Sequence, residues 1–494
     1  MSSEMITEMT PEDLQHLLSA QRKAQAADPI PDAATRRDRI DRFVAAVLAH
    51  RHELVEALNA DFGGRPQTTS MELDILGGMQ TIAHAREHLE AWMAPVAVPA
   101  AMGGAIPTFI QNRPKGVVGV IGPWNFPVVL VFVPTIEALA AGNRVMIKFS
   151  DMAPRTGAVF ARAVASRMKP EEVVVINGGL RTATSFADLR FDHIFFTGSP
   201  KVGRLIAVAA GRNLVPVTLE LGGKNPAIVA PDADAADAAA RIAAARLVNN
   251  GQVCLSPDYA FVPENRKEVF VEAYKQAVFT YFPTFIDNPD VVSIVNDANY
   301  ARVTGLIEDA KAKGAKEIVI VPEAEKTRLP AANSRRLPPT LLLDTPPDAK
   351  INEEEIFGPV LVLHSYTDIH QAIAYVASGE HPLSSYWYGA NNDDFQSFLT
   401  HTTSGAVSRN DFALAYINHE APFGGVGMSG SGAYHGKAGF DSFSHQRPIA
   451  QSDLPIAIAP AFVPPLTPER VEAVAAGAAA AAADVLTRLG EQVG

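Results

Sequence analysis

Cys254 is the only cysteine among 494 residues, which excludes an internal disulfide and a multi-cysteine metal site. A lone cysteine is either a small buried apolar residue or a nucleophile. This one follows Asn249-Asn250-Gly251-Gln252-Val253 and precedes Leu255-Ser256-Pro257-Asp258-Tyr259. The passage is rich in turn residues and comes after an alanine-rich helical pattern from Ala233 to about Val248. A thiol in a Gly-containing loop at a helix end is open to a substrate in a way a core thiol is not, so Cys254 is a candidate nucleophile. An ordinary thiol, with pKa ~8.5, is only a few per cent thiolate at neutral pH and needs a base, a cation or a helix terminus. No histidine lies close to Cys254 in sequence, and one brought near in space stays open.

Glu220 is the better-placed base, at the end of the strand pattern Val217-Thr218-Leu219 and just before Gly222-Gly223. A carboxylate at an apolar strand end has its pKa raised toward the useful range by desolvation; the alternative is a solvated glutamate at a strand terminus. Asn125 lies in Pro123-Trp124-Asn125-Phe126-Pro127, where prolines fix the loop and aromatics exclude water. Its amide is either aimed at a developing oxyanion, worth roughly 3 kcal/mol in a transition state, or bonded to its own turn.

Gly198-Ser199-Pro200-Lys201-Val202-Gly203 has the strand–turn–helix setting that binds phosphate at a helix N-terminus, but lacks the three-glycine fingerprint. Gly425-Val426-Gly427-Met428-Ser429-Gly430 matches that fingerprint formally. No strand pattern precedes it, so it is rejected as a dinucleotide site. The sequence has neither a Walker A motif nor a G-x-S-x-G elbow, which removes the commonest P-loop and serine-hydrolase readings. Its 13 histidines include no H-E-x-x-H pair, and no metal site is expected.

The elements that must position these residues read as α/β. Pro11 to about Trp92 is helical. Val117–Ile121 is a buried-strand pattern, followed by a helix to Ala141 and the stop Gly142-Asn143. Further strands are expected at Arg144–Lys148, Val173–Ile176 and His193–Phe196, with helices at Thr156–Met168 and Pro200–Ala210. Strands alternating with helices imply a parallel sheet with ligands at the strands' carboxyl ends. A second α/β passage begins at Pro226–Val229 and carries strands at Ala260–Val262, Glu317–Val321 and Val360–His364. Beyond Gln451 come a Pro-rich linker, Pro455–Pro468, and an alanine-rich helix, Glu469–Leu489, too weakly apolar for a membrane anchor.

At 494 residues the chain holds two or three domains. A formal net charge of −12 argues against non-specific nucleic-acid binding. Met1–Asp28 lacks the pattern of a signal peptide, and the apolar run Val128–Ala141 is too short to span a bilayer. A soluble protein of a reducing cytoplasm is expected.

Five motifs then carry a resemblance: Pro123–Pro127, Leu219-Glu220-Leu221-Gly222-Gly223-Lys224, Gly251–Cys254, Glu354-Glu355-Ile356-Phe357-Gly358-Pro359 and Pro422-Phe423-Gly424-Gly425-Val426-Gly427. In their order and approximate spacing they resemble the NAD(P)-dependent aldehyde dehydrogenases, over about Gln15 to Arg447. Asn249, Pro257-Asp258-Tyr259, Tyr434-His435-Gly436-Lys437 and Phe440–His445 resemble the class 3 branch, which takes in fatty, aromatic and coniferyl aldehyde enzymes.

The resemblance implies a Rossmann-like cofactor domain (1–97 and 115–222) and an α/β catalytic domain (223–420). It also implies β-strand oligomerisation segments (98–114 and 421–452), with the linker and helix over 453–494, and a homodimer exchanging a hairpin around Val98–Arg113. Cys254 would attack an aldehyde, Asn125 and the Cys254 N–H would hold the oxyanion, and Glu220 would activate water to release the acid. NAD or NADP would be held by Ile121, Gly122, Pro123, Trp124, Lys148, Ser150, Asp151, Gly198, Ser199, Val202, Leu221, Gly222, Glu355 and Phe357. The family's Lys-Pro-Ser-Glu is Lys148-Phe149-Ser150-Asp151 here, which leaves NAD versus NADP open. A CoA-acylating or semialdehyde enzyme, a cysteine hydrolase and a catalytically silent binding protein are the alternatives.

Overall fold

A computed structural model describes residues 7–101, 104–330, 334–452, 454–455 and 457–490. Residues 102–103 of the expected hairpin, 331–333 of the expected catalytic domain, and 1–6, 453, 456 and 491–494 lie outside the described residues. Strands are numbered along the chain. The first seven are β1 Val96–Ala101, β2 Ile106–Pro114, β3 Val117–Ile121, β4 Arg144–Lys148, β5 Val173–Ile176, β6 His193–Gly198 and β7 Val217–Leu221. Then come β8 Asn225–Val229, β9 Pro257–Pro263, β10 Lys316–Val319, β11 Thr340–Leu343 and β12 Val360–Tyr366. The last are β13 Ser384–Tyr388, β14 Ala406–Arg409, β15 Gly430–Ser431 and β16 Ser444–Ala450.

The chain divides into two units, Met1–Ala94 with Asn112–Arg447 and Pro95–Gln111 with Pro448–Gly494. The first unit holds two sheets. In one the order is β15-β7-β6-β3-β4-β5, with β3 to β7 parallel and β15 antiparallel to β7. All residues of β3 and β4 are buried. Covered on both faces, such strands read as continuous apolar runs instead of alternating ones. The strand order reverses between β3 and β6, which is where open α/β sheets form a ligand crevice beyond the carboxyl ends. Register aligns those ends: Ile121 faces Lys148 on one side and Phe196 on the other, and Gly198 faces Leu221.

The second sheet has the order β10-β11-β12-β9-β8-β13-β14, parallel except for the edge strand β10. Three of its strands, β11, β13 and β14, were not legible in the sequence. Ser384-Ser385-Tyr386-Trp387-Tyr388 opens with two serines, which carry no strand signal until β8 and β14 pair on either side. The strand expected at Glu317–Val321 runs instead over Lys316–Val319: Ile320 still donates to the Pro339 carbonyl, but Pro339 has no N–H to return and the ladder stops there.

The formal three-glycine match forms a short 3-10 turn, Gly427–Ser429, running into β15. A side chain at Gly430 would strike the Leu219 carbonyl, so this glycine permits β15 to lie against β7 beside Glu220.

In the second unit, β1 and β2 form an antiparallel hairpin with Val96 opposite Ile110, and β16 completes a three-stranded sheet. The alanine-rich helix runs Pro468–Leu489, started by a Thr467 side-chain cap. Among the described residues no helix is long and apolar enough to cross a membrane.

Candidate active site

The helix Ala235–Leu247 ends in three consecutive residues with left-handed backbone: Asn249 (φ 49°), Asn250 (φ 52°) and Gly251 (φ 76°). Asparagine and glycine tolerate that conformation, so the sequence Asn-Asn-Gly turns the chain out of the helix here. A side chain at Gly251 would strike the Gly358 carbonyl, which explains why the Cys254 loop passes so close to Gly358-Pro359.

Side chains then lock the loop. The Gln252 amide donates to the carbonyls of Asn249 (2.9 Å) and Ser293 (3.2 Å) and accepts from the Val295 N–H (3.0 Å). Asn225 Nδ2 donates to the Cys254 carbonyl at 2.7 Å, and the Tyr386 hydroxyl donates to the Leu255 carbonyl at 2.6 Å. Cys254 is partly buried and packs on the core beside Phe423 and Tyr434. Burial, reinforced by the carboxylates of Glu355 and Glu220, pushes its thiol up to about 12. Left to these surroundings the sulfur is a thiol at neutral pH.

Glu220 ends β7 with its carboxyl fully enclosed, and neither oxygen has a hydrogen-bond partner. Burial holds it well above the usual carboxylate range, and the charge of Glu137 adds to the shift. Glu137 lies in the entirely buried helix Val129–Ala140 and is likewise without a side-chain partner. Burial raises it too, although the backbone amides of His435 and Gly436 face it and oppose the shift.

Glu355 sits against Gly222, where any side chain would collide with the carboxylate. Its pKa is pushed to about 8 by burial and by Asp258, against the opposing effect of the Gly223 amide, Arg302 and Lys224. Phe357 (φ 52°) meets Trp124 edge-on with ring centroids 5.3 Å apart, and Trp124 also touches Phe62.

Asn125 is buried and donates from Nδ2 to the Gln252 carbonyl at 3.1 Å, using one of its two amide hydrogens. Its own carbonyl accepts from Asn249 Nδ2 (3.3 Å) and Arg65 Nη1 (3.2 Å). Arg65 is clamped between the rings of Phe62 and Phe126 and pairs with Asp74 at 2.8 Å, both side chains being fully buried. Asp74 in turn accepts from the N–H groups of Val128 and Val129, fixing the start of the helix behind the Asn125 loop.

The other predicted cofactor residues lie along the carboxyl ends of the first sheet. Gly122 follows Ile121 and donates its N–H to the Lys148 carbonyl at 3.1 Å, with Pro123 continuing the loop. Lys148 is buried, and its ammonium donates to the carbonyls of Phe149 and Gly178, both at 2.7 Å. Burial lowers its pKa, with Asp151 and Glu8 opposing. Ser150 accepts from the Met152 N–H, and Asp151 is exposed beside it. Gly198 ends β6, and Ser199 caps the helix Pro200–Arg212 by accepting from the Val202 N–H at 3.4 Å. Val202 is exposed next to that helix start, and a side chain at Gly203 would come within 2.7 Å of the Leu221 side chain, so this glycine lets the helix pack on it.

Two neighbourhoods result along one edge. Glu220 and Glu355 each lie within electrostatic reach of Cys254, with Asn125 tied to the same loop through Gln252. Lys148, Ser150 and Asp151 gather at the end of β4, with Gly198 to Val202 at the end of β6. A nucleophile beside two shielded carboxyls, at the crevice of a Rossmann-type sheet, suits oxidation of a carbonyl compound through a covalent sulfur adduct.

The sequence model of the aldehyde dehydrogenase family matches residues 3–449. The chain belongs to the aldehyde dehydrogenase family. It is 44% identical over 441 residues to a probable coniferyl aldehyde dehydrogenase of Caulobacter vibrioides, covering 88% of this chain and 90% of that protein. Substrate-bound Staphylococcus aureus AldH superposes with a TM-score of 0.85 at 30% identity, covering 94% of this chain and 99% of that one. An indole-3-acetaldehyde dehydrogenase in complex with NAD+ does so with a TM-score of 0.81 at 25% identity, covering 90% of each chain. The protein is an oxidoreductase acting on the aldehyde group.

In this aldehyde dehydrogenase, sequence reasoning missed Arg65, Asp74 and Glu137. Arg65 and Asp74 are separated from Asn125 in sequence and carry no motif, so only their burial identifies them. Glu137 did have a signal, a single acid inside the apolar helical run Val129–Ala140.

Proposed function

We propose that the protein oxidises a hydrophobic aldehyde, aromatic of the coniferyl type or a medium- to long-chain aliphatic one, to the carboxylic acid with NAD or NADP. The observation that carries this reading is the placing of Cys254 and the unpartnered Glu220 carboxyl within reach of each other at the sheet crevice. The crevice residues fit a dinucleotide. The Ser199-capped helix start suits a pyrophosphate, and the bare backbone at Gly222 makes room for the Glu355 carboxylate, which would bind a ribose. Ile121 to Trp124, Lys148, Ser150, Asp151, Gly198, Val202, Leu221 and Phe357 would hold the remainder. Bound there, the nicotinamide supplies the hydride acceptor.

Glu220 takes the Cys254 proton and passes it to solvent, and the freed sulfur bonds to the aldehyde carbon, turning the carbonyl oxygen into an oxyanion. The second amide hydrogen of Asn125 and the Cys254 N–H receive that charge. Loss of hydride from the same carbon leaves a thioester on Cys254. Glu220 then takes a proton from water, the resulting hydroxide adds to the thioester carbon, and the carbon–sulfur bond breaks to free the acid and the Cys254 thiolate. A carboxylate with raised pKa and no competing hydrogen bond suits that proton transfer.

In this reading residues 1–97 and 115–222 serve the cofactor and 223–420 the substrate. Segments 98–114 and 421–452 join a cytoplasmic homodimer, leaving the linker and helix over 453–494 outside it. The similarity to a probable coniferyl aldehyde dehydrogenase favours the aromatic substrate. A panel of aldehydes assayed with NAD and with NADP tests it: coniferyl-type aldehydes are expected to give the highest kcat/KM, with no need for CoA. Full turnover by Cys254→Ala would overturn the mechanism.

A further inference from the structure

A cluster away from Cys254 joins two elements that the proposed reaction does not use. His84 and His88 stand one turn apart on the helix Met79–Met93, with ring centroids 4.4 Å apart. Glu420, 336 residues beyond His84, brings its Oε1 to 2.8 Å from His84 Nε2. One donor atom from each of the three lies within 4.8 Å of the others.

The hydrogen bonds around the cluster orient it. His88 Nδ1 lies 3.0 Å from the His84 carbonyl, a contact that requires the proton on Nδ1 and leaves the lone pair on Nε2. That bond from ring N–H to a backbone carbonyl is the one that fixes metal-binding histidines in their tautomer. His84 Nδ1 is buried and has no partner, while its Nε2 already meets Glu420, a fellow ligand of the cluster. The position of the His84 ring is set by packing: a side chain at Gly436 (φ 53°) would come within 2.8 Å of His84 Cε1. The Glu420 side chain is 70% exposed and free to move. Bonds of about 2.0–2.1 Å to a tetrahedral ion put donors roughly 3.3 Å apart. Glu420 Oε1 already lies 2.8 Å from His84 Nε2, so closure of the site falls on the approach of this pair and His88.

We infer that His84, His88 and Glu420 form a binding site for a divalent zinc-class cation, clamping the helix Met79–Met93 to the loop Asn418–Glu420. Two imidazoles and one carboxylate are a borderline donor set that favours zinc, nickel or copper over magnesium or calcium, and water completes the coordination. His84-Ala85-Arg86-Glu87-His88 differs from H-E-x-x-H in the place of its glutamate, and its third ligand lies 336 residues beyond His84. The site does not depend on the proposed substrate or cofactor.

Trp92 supplies a reporter, stacked on His88 with rings 18° from parallel and 5.3 Å from His84. The full chain, stripped by chelator, is titrated with Zn2+ by calorimetry and with Cu2+ by tryptophan fluorescence. One saturable Zn2+ per chain, a raised melting temperature and quenching by Cu2+ that disappears in Trp92→Phe are expected. His88→Ala and Glu420→Gln should each weaken binding at least about tenfold, whereas Cys254→Ser should leave it unchanged. Absence of saturable binding, binding lost only in Cys254→Ser, or unaltered affinity in His88→Ala would overturn the assignment.

Discussion

Asp74 and Glu220 are both withdrawn from solvent, yet the first is paired with a cation and bonded to backbone and the second is held by no hydrogen bond. Asp74 pairs with Arg65 at 2.8 Å and accepts two backbone N–H groups, and Arg65 passes the restraint on to the Asn125 carbonyl. Burial raises Asp74 and lowers Arg65, each offset by the charge of the other. Glu220 has no hydrogen bond, and the acid that acts on it, Glu137, raises it further. A buried acid paired with an arginine rigidifies the loop it serves, whereas in the proposed mechanism the unpartnered one is kept ready to take a proton. In the proposed mechanism the two carboxylates separate scaffold from chemistry.

Mutating Arg65 tests the scaffold side with the largest effect. Arg65→Met strands the buried Asp74 charge and should cost about 3–5 kcal/mol in denaturant unfolding, with the double variant Arg65→Met/Asp74→Leu recovering most of it. Equal losses in the single and double variants would break the comparison. On the chemical side, Glu220→Gln should lower steady-state turnover by about 10²–10⁴ while leaving stability within about 1 kcal/mol of the parent. Rapid-mixing traces should still show one acylation burst per chain.

Glu137→Gln sharpens the same contrast through pH. Burial keeps the native Glu137 carboxyl above 4.5, so the folded chain retains a proton that the unfolded chain has released. Its contribution to stability therefore declines as pH rises from 4.5 through the raised native value. Melting curves of parent and variant should coincide near pH ~4 and diverge by pH ~8, with the glutamine variant the more stable. Last, Arg162 pairs with Glu53 at 2.6 Å with both side chains more than half exposed. Arg162→Ala should cost only about 0.2–1 kcal/mol in the same unfolding assay, and less at high salt.

How far the sequence could be read depended on the range of the interaction. The parallel core strands were legible because burial on both faces leaves an uninterrupted apolar run, as at Val117–Ile121 and Arg144–Lys148. Cys254, Glu220 and Asn125 were legible because each stands in a turn or strand end with a distinctive composition. The strand Ser384–Tyr388 was not, since its serines acquire strand geometry only between their neighbours in the sheet. Arg65 and Asp74 were invisible for the same reason: their significance is a contact, and neither residue type announces it. The His84–His88 pair had the spacing of one helical turn but no sign of Glu420.

The order of elements, the apolar runs that become the sheets and the presence of a single cysteine are properties of the chain itself, because they rest on local composition and periodicity. Which acids would be stripped of partners, and which would be neutralised by an arginine distant in sequence, was decided only when the chain folded. Desolvation and pairing depend on what surrounds a group in space, and the same Glu or Asp serves either purpose until its neighbours are in place.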